Sequence, residues 1–128
     1  MSNIEPVHSE HAPKAVGPYS QAVRCADMLY LSGQIGLDPA TGTLVDGGIE
    51  AEARQVMRNL SAVLTAAAVT TDDIVKANIY LVDMADFPKI NAIYAEWLGG
   101  HRPARATVAV AALPLDAMVE IDLIASIS

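Results

Sequence analysis

Apolar residues change their spacing several times along the chain, and each change marks an element. Around Tyr30 the alternation has period two, with Leu29 and Leu31 on one side and Met28, Tyr30 and Ser32 on the other. That pattern predicts a half-buried strand. Asp38-Pro-Ala-Thr-Gly42 supplies turn chemistry, with proline second and glycine closing. Over residues 49–68 the spacing switches to three and four: Ile49, Ala53, Val56, Leu60, Val63 or Leu64, and Ala67. An amphipathic helix with one buried stripe follows, started at Asp46-Gly-Gly48 and carrying Glu50 and Arg54 one turn apart as an ion pair on its wet side. Val75 to Val82 alternates again as a strand. Asp86 is expected to cap a second helix, with Pro88 in its first turn, a stripe of Phe87, Ile90, Ile93 or Tyr94, and Trp97, and an end at Gly99-Gly100. Arg105 to Ala112 and Val119 to Ile127 are the last two strands, joined through Pro114. Residues 1–17, polar and containing Pro6 and Pro13, show no period and are expected to form an extended arm.

Strands, helix, strand, helix, strands is the order of a single α+β domain, 1–128, with two helices for five or six strands. Both helices are expected on one sheet face. The other face would carry Tyr30, Ser32, Asn78, Tyr80, Glu120 and Asp122 at alternating positions. That face is too mixed for a core and too apolar to be simply wet, which suggests a subunit interface that also lines a polar pocket. Composition adds to this expectation. Aromatic residues make up 5% and alanine fills 22 of 128 positions, so each buried side chain removes little apolar surface from water. A small domain with so thin a core gains by burying a further face against a partner.

Charge and motif content exclude several functions. The net charge is −7 and the pI about 4.7, which argues against a phosphate-backbone partner. No apolar run approaches the roughly 18 residues of a membrane span. The segment Met1 to Pro6 has no secretory-signal character, and Cys25 is the sole cysteine, so a reducing, cytoplasmic setting is expected. Neither nucleotide-binding glycine fingerprint occurs, nor a nucleophile elbow, and Ser20 and Ser32 lack a convincing histidine partner. His8 and His11 sit in the arm without a third metal ligand, and His101 reads as an exposed helix-end residue. Cys25, beside Arg24, reads as a packing residue. No metal and no cofactor are expected.

Two charged residues in otherwise apolar strands remain. Arg105 heads a strand of buried type and needs an anionic partner. That partner is either a substrate carboxylate clamped bidentately, or Glu120 or Asp122 in an internal salt bridge. Glu120, between Val119 and Ile121, is either a solvent-facing strand carboxylate or a group that orients water.

The segments Ala12-Pro-Lys-Ala-Val-Gly-Pro-Tyr-Ser-Gln21, Leu31-Ser-Gly-Gln-Ile35, Gln55 through Asn59-Leu60, Asp86-Phe87 with Asn91 and Tyr94, Pro103-Ala-Arg105, and Leu113-Pro114 through Val119-Glu-Ile121 carry a further signal in their order and spacing. Through them the chain resembles the RidA/YjgF family of enamine/imine deaminases over nearly its whole length. The resemblance implies a mixed six-stranded sheet with two helices on one face, and a homotrimer whose sheets form a central barrel with sites between subunits. It implies hydrolysis of 2-enamino or 2-imino acids, such as 2-aminoacrylate/2-iminopropanoate and 2-iminobutanoate, to 2-keto acids and ammonia, without cofactor. By the same resemblance Arg105 pairs with the substrate carboxylate, Glu120 holds the attacking water, and Tyr19, Ser32, Gly33 and Asn91 line the pocket. The resemblance also implies a substrate-binding position at Thr107, which stands where relatives often have cysteine and where the backbone is usually the functional part.

Two departures bear on substrate range. The stretch from Tyr94 to Pro103 is shorter than in many relatives. Arg102 replaces a common aromatic residue, either contacting a second substrate carboxylate or pointing into solvent. Other roles attached to such proteins are deamination of a larger enamine such as an aminomuconate, a non-enzymatic binding or chaperone-like role, and ribonuclease action.

Overall fold

The computed structural model describes residues 3–127. Eight principal elements follow in order: strands β1 (Ile4–Val7), β2 (Ala22–Cys25) and β3 (Met28–Gln34), helix α1 (Gly48–Ala66), strand β4 (Ile74–Leu81), helix α2 (Phe87–Leu98), and strands β5 (Ala104–Ala109) and β6 (Val119–Ser126). The strands form one six-stranded mixed sheet in the order β1-β2-β3-β6-β4-β5. Only β4 and β5 run parallel, as a connection through a helix requires; the other pairs are antiparallel.

Alternation decides which sheet face is covered. Leu29, Leu31, Ala77, Ile79, Leu81, Val119, Ile121, Leu123 and Ala125 are buried and share one core with Val56, Leu60, Val63 and Leu64 of α1 and Ile90, Ile93 and Tyr94 of α2. The residues between them, Tyr30, Ser32, Asn78, Tyr80, Glu120 and Asp122, take the opposite face and keep partial exposure, as the sequence pattern indicates. α1 stops near its expected end because Ala68 adopts a left-handed φ of 61°, which no helix continues. α2 ends at Gly99, with φ 66°.

Several local expectations are corrected. The arm is not featureless: Ile4–Val7 pairs with β2 as the edge strand β1. Asp86 precedes α2 without a side-chain capping bond; Asp83 does the capping, accepting from Ala85 N–H at 2.9 Å to start the short 3-10 turn Met84–Asp86 that feeds α2. Arg54 pairs with Glu96 of α2 at 3.7 Å instead of with Glu50, because the helix–helix contact brings a carboxylate closer. His101 is not free at a helix end, since its Nε2 donates to the Ile74 carbonyl at 2.7 Å.

Candidate active site

The register fixes where the two charged candidates point. Arg105 pairs with Ala77 and Thr107 with Ile79, while Ala77 and Ile79 also face Leu123 and Ile121 on β6. Cross-strand partners share a face, so Arg105 and Thr107 lie on the helix side of the sheet. Glu120 is opposite Tyr80 and Asp122 opposite Asn78, on the other side. One chain therefore holds Arg105 and Glu120 on opposite faces of the same sheet, and the internal salt bridge to Glu120 or Asp122 is not made.

Arg105 is held by α2. Its Nη1 donates to Asn91 Oδ1 at 2.7 Å, and its Cζ lies 5.3 Å from the Tyr94 ring centroid and 5.4 Å from that of Phe87. Phe87, Asn91 and Tyr94 are spaced four and three residues apart, which stacks them along one helix face. Two aromatic faces fix the guanidinium plane by cation–π attraction, and one hydrogen bond fixes its rotation. Remaining N–H groups of an exposed guanidinium are the geometry that accepts a carboxylate with two parallel bonds. A cavity of about 440 Å³ opens beside it, lined by Asn91, Tyr94, Leu98, Arg102 and Arg105. Arg102 is turned back by Nη1, which donates to the carbonyls of Gly99 and His101 at 2.7 and 2.8 Å. Burial pushes the Tyr94 hydroxyl above its ordinary range, against the opposing pull of the Arg105 and Arg102 charges.

Glu120 belongs to a different cavity, of about 320 Å³, together with Tyr19 and Gly33. A bulge places it there. Leu31 pairs with Leu123 and Gln34 with Ile121, so Ser32 and Gly33 together oppose one residue of β6. The bulge brings the Gly33 backbone against Glu120: a Cβ at position 33 would lie 2.8 Å from the Glu120 carboxyl carbon. Glycine is thus the residue that lets the carboxylate lie over the strand. Ser32 is oriented by donating to the Ser20 carbonyl at 2.6 Å. Desolvation raises the Glu120 carboxyl above the usual carboxylate range, and the neighbouring Asp122 charge raises it further. Asp122 itself accepts from Asn78 Nδ2 at 2.8 Å and from the Tyr80 hydroxyl at 2.9 Å.

The structure therefore divides the sequence candidates between two cavities. Tyr19, Gly33 and Glu120 line one cavity, and Asn91 and Arg105 line the other. Thr107 shares the Arg105 face, and its hydroxyl is buried without a hydrogen-bond partner among the described residues. Three buried polar side chains brace the first cavity; Gln21 and Asn59 are marked in the sequence only as members of the resembling segments, with no role assigned, and Glu52 is not marked at all. Gln21 ties the arm down by accepting from Ser9 N–H at 2.6 Å and donating to the Pro13 carbonyl at 2.8 Å. Asn59 Nδ2 donates to the carbonyls of Ile35 and Leu37 at 3.2 and 2.9 Å, and Glu52 Oε1 accepts from Met118 N–H at 2.9 Å. For Asn59 and Glu52 the available signal was a polar residue inside or beside the apolar stripe of α1.

No group of three or more metal-ligating side chains occurs among the described residues. No helix among them is long and apolar enough to cross a membrane.

Comparison with known proteins gives one consistent result. A family model described as endoribonuclease L-PSP matches residues 9–127. A mouse protein named 2-iminobutanoate/2-iminopropanoate deaminase is 47% identical over 98% of this chain and 94% of its own length. A RutC family protein of Pyrococcus horikoshii is 46% identical over 94% of this chain and 96% of its own. The crystal structure of E. coli TdcF with bound serine superposes with a TM-score of 0.91 at 35% identity, covering 97% of this chain and 99% of that one.

Proposed function

We propose that this chain, which belongs to the endoribonuclease L-PSP family, the YjgF/RidA or Rid family, hydrolyses 2-imino acids and their 2-enamino tautomers to 2-keto acids and ammonia. The observation that carries the proposal is the Arg105 guanidinium, fixed between the Phe87 and Tyr94 rings with Asn91 on one nitrogen. A side chain so preorganised binds a planar carboxylate at little entropic cost. A mouse relative named as an imine deaminase, at 47% identity, supports the same reaction.

The chemistry needs little beyond placement. The C2 carbon of an imine is already electrophilic, so no activated serine or cysteine is required. Arg105 holds the C1 carboxylate, and Glu120 orients a water towards C2. The water oxygen bonds to C2 while the C=N pair moves to nitrogen. The water proton passes by way of Glu120 to the amine nitrogen. The hydroxyl proton of the resulting carbinolamine follows by way of Glu120 to the same nitrogen as the C2–N bond breaks and the carbonyl forms, releasing ammonia. A carboxylate with a raised affinity for protons suits this shuttle, because its proton is held long enough to be returned.

Arg105 and Glu120 lie on opposite faces of one sheet, so the site is complete only where Arg105 of one copy meets Glu120, Tyr19 and Gly33 of another. The exposed edge strand β5 and the semi-polar face bearing Tyr30 and Val108 support that assembly, and we place it as a homotrimer. A net charge of −7 works against RNA as substrate. The direct test generates 2-iminopropanoate in situ and follows pyruvate and ammonia. Release no faster than spontaneous hydrolysis would end this reading.

A further inference from the structure

The cavity that holds Glu120 is larger and more apolar than hydrolysis of a three-carbon imine needs. Its volume is about 320 Å³, and Val16, Tyr19, Ile35, Leu37, Pro114 and Leu115 supply its apolar wall. In the single chain Val16, Tyr19 and Leu115 are 86%, 51% and 65% exposed, which gathers three large apolar side chains at one mouth. Scattered apolar residues are ordinary on a surface, but a cluster around a concave site containing a functional carboxylate marks a ligand contact. The wall is also rigid. Gln21 ties the arm at Pro13, Asn59 ties Ile35 and Leu37, and Glu52 ties Met118 just beyond Leu115.

Leu115 stands out in its backbone. Its φ and ψ are 56° and 29°, and Asp116 follows with φ 59°. Two successive non-glycine residues in the left-handed region are strained, and leucine has no local hydrogen bond to compensate, as asparagine would. The strain holds an apolar side chain at the mouth of the cavity.

We infer that this cavity receives the substrate's side chain and selects 2-imino acids with a branched or aromatic apolar side chain over 2-iminopropanoate, with Leu115 the residue that sets the preference. The inference rests on the deaminase reading and names the substrate class of that same site. Each methylene buried in such a pocket is worth roughly tenfold or more in specificity. The imine of leucine should therefore show a kcat/KM at least about tenfold above that of 2-iminopropanoate.

The test measures both imines, generated in situ, with the parent protein and with Leu115→Asn, and titrates the stable products 4-methyl-2-oxopentanoate and pyruvate by calorimetry. Asparagine tolerates the left-handed backbone, so the variant should be at least as stable as the parent. Its leucine-imine to 2-iminopropanoate ratio should fall by about tenfold, with the same loss of preference between the two keto acids. Stability maintained while selectivity collapses is an outcome that a purely structural leucine would not give. Equal or better use of 2-iminopropanoate by the parent overturns the inference and leaves deamination standing. An unchanged ratio in Leu115→Asn overturns it as well. If the parent hydrolyses neither imine, the deaminase reading fails, and the keto-acid affinities still decide whether the cavity prefers an apolar side chain.

Discussion

At the scale of single residues, the two charged groups are set up for different tasks. Arg105 is positioned by planar contacts, two ring faces and one amide oxygen. Arg105→Lys keeps the charge but loses the fork and the stacking. It should lower kcat/KM by about a hundredfold, equivalent to roughly 2.7 kcal/mol of transition-state stabilisation. Steady-state kinetics showing near-parental turnover would make the arginine a packing residue. Glu120 is positioned by the absence of a side chain at Gly33, and burial and Asp122 raise its proton affinity. In the proposed reaction its charged form accepts from water, so the acid limb of the pH profile should lie above that of an ordinary glutamate. Asp122→Asn removes the smaller of the two causes and should move that limb to lower pH. The stability sign is the opposite of the usual carboxylate case. The folded state holds this proton more tightly than the unfolded chain does, so the group's contribution declines as pH rises through the raised value. Glu120→Gln should therefore slow turnover at neutral pH without lowering Tm; a matching loss of both would tie Glu120 to the fold instead.

At the scale of elements, α1 and α2 do more than cover a sheet face. α2 presents Phe87, Asn91 and Tyr94 to Arg105, while α1 sends Asn59 and Glu52 to the loops that wall the other cavity. Asn59 is fully buried and satisfies two loop carbonyls while its own oxygen accepts from Gln55 Nε2 at 2.8 Å. Asn59→Ala strands these groups and should cost about 1–3 kcal/mol in denaturant unfolding. It should also raise KM, because Ile35 and Leu37 lose their anchor. Parental stability would show that the two carbonyls find other partners at no cost. The helix pattern itself was legible from apolar spacing, but this role was not. Spacing places Asn59 next to Leu60 and says nothing of which loop carbonyls come within reach.

At the scale of the whole molecule, the division of Arg105 and Glu120 between opposite faces predicts complementation. Arg105→Ala and Glu120→Gln variants should each be nearly inactive alone. Mixed, unfolded and refolded together at equal concentration, they should recover up to about one quarter of parental activity, because random assembly of the proposed trimer would join an intact arginine to an intact glutamate at one interface in four. No recovery, with mixed assemblies confirmed by mass, would place both groups on one chain's substrate. Sedimentation at micromolar concentration checks the assembly itself, and a lone 13.5 kDa species would remove the shared site.

By itself the sequence determined the four strands β3 to β6, both helices, their order and the buried face, because alternation and three-four spacing are local and Leu29, Leu31, Ile121 and Leu123 leave one choice of core face. Strands β1 and β2, four residues each, are too short to show a period. It also marked Arg105 and Glu120 as charges out of place in apolar strands. Only the tertiary structure decided how these are used. A parallel β4–β5 pair puts Arg105 beside Ala77 on the helix side, and a one-residue bulge at Ser32-Gly33 brings a Cβ-free backbone beneath Glu120. Register, strand order and the capping shift from Asp86 to Asp83 depend on contacts between residues distant in sequence or on backbone geometry, and no local spacing carries them. The same holds for Leu115, whose left-handed backbone gives an ordinary leucine its place at the mouth of the cavity.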